Sequence, residues 1–63
     1  MPIAQIYLME GRTDAQKRAV IEKVTQALVD AAGASPGQVR VLIHEVPTSQ
    51  WGIGGQTARD LGR

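Results

Sequence analysis

The sequence predicts an α/β (α+β) fold made of a single β-α-β unit with parallel strands, followed by a short C-terminal hairpin. Three observations lead to this prediction: an apolar run from Ile3 to Met9, a helical pattern that begins at Thr13, and a run rich in β-branched residues from Val39 to Val46. A helical crossover allows the two strands to lie parallel, and such crossovers are almost always right-handed. We expect residues 1–63 to form one domain.

The predicted helix has clear signals at both ends. Thr13 followed by Gln16 matches a capping box, in which the Thr13 hydroxyl accepts from the Gln16 amide and the Gln16 side chain reaches back. Gly33 is suited to the C-terminal cap, because glycine adopts the left-handed conformation at little cost. Between these ends, the apolar residues follow helical spacing and form one stripe. Its members are Val20, Val24, Ala27, Leu28 and Ala31, with Ile21 and Ala32 at its edges.

The two strand candidates and the segment after them have distinct sequence signals. The first is apolar on both faces apart from Gln5, which indicates that both faces are covered in the folded protein. Pro47 ends the second, because proline cannot donate to a strand ladder. The glycines between Gly52 and Gly55 favour a tight reversal, and hence a small hairpin.

A chain of 63 residues has little core of its own. Burial in a compact monomer contributes about 90 kcal/mol, and ordering the chain costs about the same. There is no cysteine and only one histidine, His44, so neither disulfides nor an ordinary metal site can add stability. With 43% hydrophobic residues, the sequence predicts stabilisation by self-association.

Charge and hydropathy exclude several classes of partner. The formal net charge is only +1, and the basic residues are spread from Arg12 to Arg63, unlike the basic surface of a nucleic-acid-binding protein. No apolar run approaches the ~20 residues of a membrane span, and the start of the chain lacks the basic-then-apolar order of a secretory signal. We therefore expect a cytoplasmic protein with neither nucleic-acid nor membrane partners.

The strongest candidate for chemistry is Pro2. The sequence has no catalytic cysteine, no recognisable Ser/His/Asp set, no phosphate loop and no metal-ligand spacing. Removal of Met1 would leave Pro2 with a free secondary amine. An α-amino group ordinarily titrates near pH ~8, and apolar surroundings or nearby cations lower its pKa towards the range that suits a general base. The alternative is that Pro2 is only a rigid lead-in to the strand.

Other residues have both a functional and a purely structural interpretation. Arg12 and Arg40 are candidate cations for an anionic substrate, but they could be a solvated loop residue and an exposed or ion-paired strand residue. Trp51 could form a pocket wall or a packing anchor. His44 is expected to be a hydrogen-bonded strand residue, and Tyr7 is expected to pack between subunits.

Five short blocks lie in a characteristic order and spacing: Met1–Ile6, Glu10–Asp14, Gln16–Lys17, Val39–Val41 and Trp51–Gly55. Together they resemble the 4-oxalocrotonate tautomerase family, also called 2-hydroxymuconate tautomerase, over essentially the whole chain. The resemblance implies a β-α-β protomer assembled into a homohexamer, a trimer of dimers. It also implies a cofactor-independent and metal-free isomerase that acts in aromatic hydrocarbon catabolism.

The resemblance assigns roles to individual residues. Pro2 would be the general base and acid that carries a proton from the 2-hydroxyl of a dienol to carbon. Arg40 would bind the carboxylate and oxygen at the reacting end and polarise the developing carbonyl, whereas Arg12 would bind the distal carboxylate. The two arginines would come from neighbouring subunits. The implied substrate is a small dicarboxylate or 2-hydroxydienoate.

The pocket wall implied by the resemblance is apolar. Trp51 matches a position that is more often phenylalanine, Ile53 lies on the same wall, and Leu8 and Met9 end the first strand close to it. Tyr7 replaces a histidine found in some members. One alternative is a dehalogenase or hydratase with the same proline, but hydration needs an extra carboxylate and position 53 is not acidic. The other is a non-catalytic oligomeric module.

Overall fold

Two parallel strands joined by one long helix form the body of the chain in the computed structural model, which describes all residues from 1 to 63. Strand β1 spans Ile3–Met9, helix α1 spans Asp14–Ala32 and strand β2 spans Arg40–Val46. The strands pair in parallel, from Ile3 opposite Arg40 to Met9 opposite Val46. The predicted β-α-β unit is therefore confirmed, although β2 begins one residue later than expected.

Helix α1 has the predicted caps. The Thr13 hydroxyl accepts from the Gln16 amide at 3.1 Å, and the Gln16 side chain accepts from the Thr13 amide at 3.0 Å. At the other end, Gly33 has φ 69° and its amide donates to the carbonyls of Leu28 and Val29. A residue with a β-carbon would be strained there, so both ends of α1 are fixed by local sequence.

Side chains alternate between the two faces of the sheet. Ala4, Ile6, Val41 and Ile43 are half-buried on the face that α1 covers. Three apolar residues of the opposite face, which we call the open face, are exposed: Ile3 by 60%, Tyr7 by 58% and Leu42 by 44%. Both faces were expected to be covered, and within one chain only one of them is.

The half-buried face of α1 differs from the predicted apolar stripe. Val20, Val24 and Leu28 are half-buried, but the other four predicted members are exposed: Ile21, Ala27, Ala31 and Ala32. Thr25 and Val29 are half-buried instead, and so is Lys17.

The segment after β2 forms the predicted hairpin. A 3₁₀ turn at Thr48–Gln50 leads into β3, Gly52–Ile53, which pairs antiparallel with β4, Gln56–Thr57. Gly54 and Gly55 make the reversal with φ values of 61° and 89°, a conformation that favours glycine. Beyond β4, Ala58 is completely buried and donates its amide to the Trp51 carbonyl at 2.7 Å.

The chain buries very little on its own. Only Val39 and Ala58 are buried, and the accessible surface is 4594 Å², whereas a compact monomer of this mass would expose about 4,000 Å². The molecule is elongated, with extents of 42 × 23 × 14 Å. Its one long helix is too polar to cross a lipid bilayer. The thin core agrees with the prediction that further chains complete the fold.

Candidate active site

The predicted site residues fall into two groups at opposite ends of the sheet. Pro2 and Arg40 lie at the end where the strands begin, and the Arg40 amide donates to the Pro2 carbonyl at 3.0 Å. Arg12 follows the other end of β1. Since β1 has seven residues, these two ends are about 20 Å apart at ~3.3 Å per residue. One chain therefore cannot bring Pro2 and Arg12 into one site.

The apolar candidates lie with Arg12. Leu8 is half-buried near the end of β1, opposite Glu45. Trp51, just before β3, and Ile53, in β3, are both half-buried in the hairpin that follows the end of β2. Each protomer thus presents a proline end, with Pro2 and Arg40, and a wall end, with the other four candidate residues.

The loop that presents Arg12 has a defined geometry. Gly11 has φ 117°, which favours glycine, and turns the chain after β1. The Arg12 guanidinium then donates from Nη1 to the Met9 carbonyl at 3.0 Å. This contact ties the side chain to the end of the strand and leaves the other guanidinium donors without a partner in the chain.

Neither candidate arginine is neutralised by the protein. The Arg40 guanidinium donates from Nη1 to the carbonyls of Gly37 at 2.9 Å and Val39 at 3.3 Å. The ion pairs of the chain all involve Lys17, so no carboxylate pairs with Arg12 or Arg40. Two unpaired guanidinium groups suit a substrate with two carboxylates, because the guanidinium fork matches carboxylate oxygens.

The single lysine–carboxylate cluster lies on the helix-covered face. Lys17 Nζ is 2.9 Å from Glu45 Oε1 and 3.5 Å from Asp14 Oδ1. The hydrogen bond from Lys17 to Glu45, followed by the nearby Asp14 carboxylate, raises the pKa of Lys17 above its ordinary 10.5. The cluster joins α1 to β2 and does not belong to either half of the candidate site.

Tyr7 and His44 form a stacked pair on the open face. Their rings are 4.7 Å apart at an angle of 18°. His44 Nε2 is shielded from solvent but has no hydrogen-bond partner, so the expectation of a hydrogen-bonded His44 is not met within one chain. An unpartnered shielded nitrogen costs about 1–3 kcal/mol.

A site able to enclose a substrate is not complete in one protomer. The chain has no pocket, and no three His, Asp or Glu side chains are close enough to hold a metal ion. Each chain has a proline with an adjacent arginine at one end of the sheet, and a second arginine with an apolar wall at the other. Combining the two ends from different chains would give a site with a base, two cations and an apolar wall.

Glu10 makes two contacts that were not predicted from the sequence. Glu10 Oε1 accepts from the Thr48 amide at 3.3 Å, and the Glu10 amide donates to the Val46 carbonyl at 3.0 Å. The one local signal was Pro47, since a proline at the end of β2 makes Thr48 the next residue able to donate an amide.

Comparisons with known proteins show the family and the fold. A family model described as tautomerase enzyme matches residues 2–60. A 2-hydroxymuconate tautomerase from Pseudomonas putida is 65% identical over 63 residues, which is 100% of both chains. A solved structure among the 4-oxalocrotonate tautomerase isozymes from Methylibium petroleiphilum is 66% identical, with a TM-score of 0.95, and the match covers 98% of this chain and 100% of that one.

A more distant solved structure has the same fold. It is a heterohexamer 4-oxalocrotonate tautomerase from Chloroflexus aurantiacus J-10-fl, 31% identical with a TM-score of 0.91. The match covers 97% of this chain and 98% of that one. The full-length agreement in fold extends to both ends of the protomer, where the candidate residues lie.

Proposed function

Because the chain belongs to the tautomerase family, we propose that it converts 2-hydroxymuconate-type dienols into the conjugated 2-oxo acid by proton transfer through the Pro2 nitrogen. The chain is an isomerase. Its substrate, its catalytic residues and its assembly are proposed. Residues 1–63 would act as one tautomerase domain in the cytoplasm and would take part in the degradation of aromatic compounds.

The observation that carries the proposal is the pair of unneutralised arginines at opposite ends of the protomer. A flat dicarboxylate needs a cation at each end to be held in one pose. Arg40 binds the carboxylate and oxygen at the reacting end, and Arg12 binds the distal carboxylate. The name of the Pseudomonas putida relative supports the choice of 2-hydroxymuconate.

The Pro2 amine is available only after Met1 has been removed, because the nitrogen is an amide while Met1 is attached. Met1 is 75% exposed, so it is accessible to an aminopeptidase, and the small ring of Pro2 permits the cleavage. The neutral secondary amine then takes the proton of the substrate 2-hydroxyl and returns it to a carbon of the conjugated chain. Proton and charge balance, and the net change is an isomerisation.

Two features of the protein favour this proton transfer. Fixed positive charge at the forming carbonyl stabilises the transition state, which is the role of Arg40. The apolar wall of Trp51, Ile53 and Leu8 disfavours the ammonium form of Pro2 and so helps to keep the amine unprotonated, and able to accept a proton, near neutral pH. An apolar residue at position 53 also favours isomerisation over hydration, since it cannot activate water.

We further propose that the chain assembles into a homohexamer, a trimer of dimers. Three findings support self-association: the exposed apolar residues of the open face, the unpartnered His44 nitrogen, and the 20 Å separation of Pro2 from Arg12 estimated above. The relative from Chloroflexus aurantiacus is a heterohexamer. In the proposed assembly, each active site combines a proline end and a wall end from different chains.

The experiment is an absorbance assay of 2-hydroxymuconate ketonisation with protein whose intact mass shows that Met1 is absent. We expect turnover that saturates with substrate and that needs no added metal or cofactor. The same protein with Met1 retained is the matched control and should be inactive. If the processed protein leaves 2-hydroxymuconate unchanged, the proposed substrate is wrong.

A further inference from the structure

Glu10 connects the two elements that form the wall end of the protomer. Its amide donates to the Val46 carbonyl at 3.0 Å, which extends the pairing of β1 and β2 by one bond. Its side chain accepts from the Thr48 amide at 3.3 Å, across 38 residues of sequence. A single residue therefore joins the exit of β1 to the turn that follows β2.

Each of the two joined elements carries a candidate site residue close by. Arg12 lies two residues after Glu10, and its loop is fixed by Gly11 and by the contact with the Met9 carbonyl. Trp51 lies three residues after Thr48, and its amide donates to the Thr48 carbonyl at 3.5 Å. The Glu10–Thr48 contact thus lies between the loop that carries Arg12 and the hairpin that carries Trp51.

The chemistry of Thr48 explains why a side-chain acceptor is needed. Thr48 is the first residue of a 3₁₀ turn, and the first amides of such a turn have no partner within it. Pro47 before it has no amide to donate. The Glu10 oxygen satisfies the Thr48 amide, and an uncharged amide oxygen at the same place would do so as well.

We propose that Glu10 is a positioning residue, which holds the Arg12 loop and the Trp51 hairpin in a fixed relation so that the distal-carboxylate arginine and the apolar wall meet the substrate as one unit. This inference rests on the proposed function. Glu10 touches neither the reacting atoms nor, in this role, the substrate. It acts through the Thr48 amide.

Three variants test the proposal. Glu10→Ala removes the acceptor, Glu10→Gln keeps an acceptor without the charge, and Glu22→Ala removes an exposed helical carboxylate that forms no hydrogen bond or ion pair. Trp51 is the only tryptophan, so its fluorescence reports directly on the hairpin. The two readouts are the KM and kcat for 2-hydroxymuconate and the quenching of Trp51 by acrylamide.

We expect Glu10→Ala to raise KM for the dicarboxylate about tenfold, with a smaller change in kcat, and to increase Trp51 quenching, because the loop and the hairpin move apart. Glu10→Gln should restore both values to nearly those of the wild type. Glu22→Ala should change neither. Circular dichroism and sedimentation of each variant verify that the fold and the assembly are retained.

Several results would overturn the proposal. Unchanged quenching in Glu10→Ala would mean that the contact does not hold the hairpin, and increased quenching with unchanged KM would mean that the role is purely structural. A raised KM that Glu10→Gln does not restore would point to the charge and not to the hydrogen bond. If the wild type has no turnover, the proposed function fails, and the quenching series alone still decides whether Glu10 positions the hairpin.

Discussion

The amide of Arg40 donates to the carbonyl of Pro2 at 3.0 Å, so the residue proposed as the base is tied to the first residue of β2. This bond fixes Pro2 by its carbonyl and leaves its nitrogen outside the strand ladder. The parallel register places Ile3 directly opposite Arg40, which holds Pro2 at the edge of the sheet. Several consequences can be measured.

Blocking the Pro2 nitrogen should abolish activity without disturbing assembly. Retention of Met1 or acetylation of the amine removes the base, because an amide nitrogen does not accept a proton near neutral pH. Pro2→Ala should keep some activity, since Met1 removal still exposes a primary amine, with a loss of about 10²–10⁴-fold. The ketonisation rate of each protein, with its intact mass, checks this. Full activity in the Met1-retaining protein would show that Pro2 is not the base.

Substitutions of the two arginines should change different kinetic parameters. Arg12→Ala should raise KM for dicarboxylates and spare monocarboxylates, because Arg12 is proposed to contact only the distal carboxylate. Arg40→Ala should lower kcat for both substrate types, since its charge matters most as the carbonyl forms. Steady-state kinetics on 2-hydroxymuconate and a 2-hydroxydienoate monocarboxylate separate the roles. Equal losses on both substrates for the two variants would refute the division.

Two chains with complementary defects should restore activity when they assemble together. A Met1-retaining chain lacks the base but keeps Arg12, and an Arg12→Ala chain has the opposite defect. If each site combines ends from two chains, unfolding and refolding an equal mixture should recover about a quarter of the wild-type rate at low dicarboxylate concentration, as random pairing predicts. A rate no higher than the mean of the two separately refolded chains would show that each site belongs to one chain.

A charge on the open face should disrupt the assembly. Leu42 is 44% exposed on that face, and Leu42→Glu would place an unpaired carboxylate in an apolar interface at a cost of about 3–5 kcal/mol. Ala19→Glu, on the exposed face of α1 near Glu22 and Lys23, is the matched control. Sedimentation should show smaller species only for Leu42→Glu, and its activity should be lost with the assembly. A hexamer of normal size would contradict the proposed interface.

The Lys17–Glu45 contact predicts a dependence of stability on alkaline pH. The carboxylate partners raise the pKa of Lys17 in the folded chain above 10.5. Since the raised pKa belongs to the folded state, the contribution to the free energy of unfolding is fully present below pH 10.5 and is lost as the pH rises through the higher folded-state value. The midpoints of thermal unfolding of wild type and Lys17→Met should differ at pH 8. They should converge once the pH exceeds the folded-state pKa of Lys17. A constant difference would mean that Lys17 stabilises through its alkyl chain.

Local sequence signals predicted the helix and strands well, but contacts between residues distant in sequence could not be predicted. The Thr13 cap and Gly33 gave the bounds of α1 because both act within one helical turn, and Gly54 and Gly55 placed the hairpin for the same reason. Ala27 fits the helical spacing, yet spacing alone does not show which side of the helix packs on the two strands. The partner of Glu10 lies 38 residues away, so no local pattern revealed it.

The relative placement of the candidate site residues could not be predicted from the sequence either. The resemblance supplied residues and roles, and the protomer shows that Pro2 and Arg12 are at opposite ends of β1. Neither composition nor spacing could place them relative to each other, because their meeting depends on the arrangement of chains. The unpaired state of both arginines likewise follows from where the carboxylates lie in three dimensions.

The separation of the proline end from the wall end also bears on how such a gene can diverge after duplication. In the proposed assembly, a copy that loses its proline end can still supply a wall end to its sister chain, and the reverse holds equally. Two complementary defects are then tolerated together while neither is tolerated alone, so selection keeps both genes. From that point each end is free to change its preference without a matching change in the same polypeptide. A protomer built with its two functions at opposite ends of a short strand therefore makes division of labour between paralogues accessible by single substitutions.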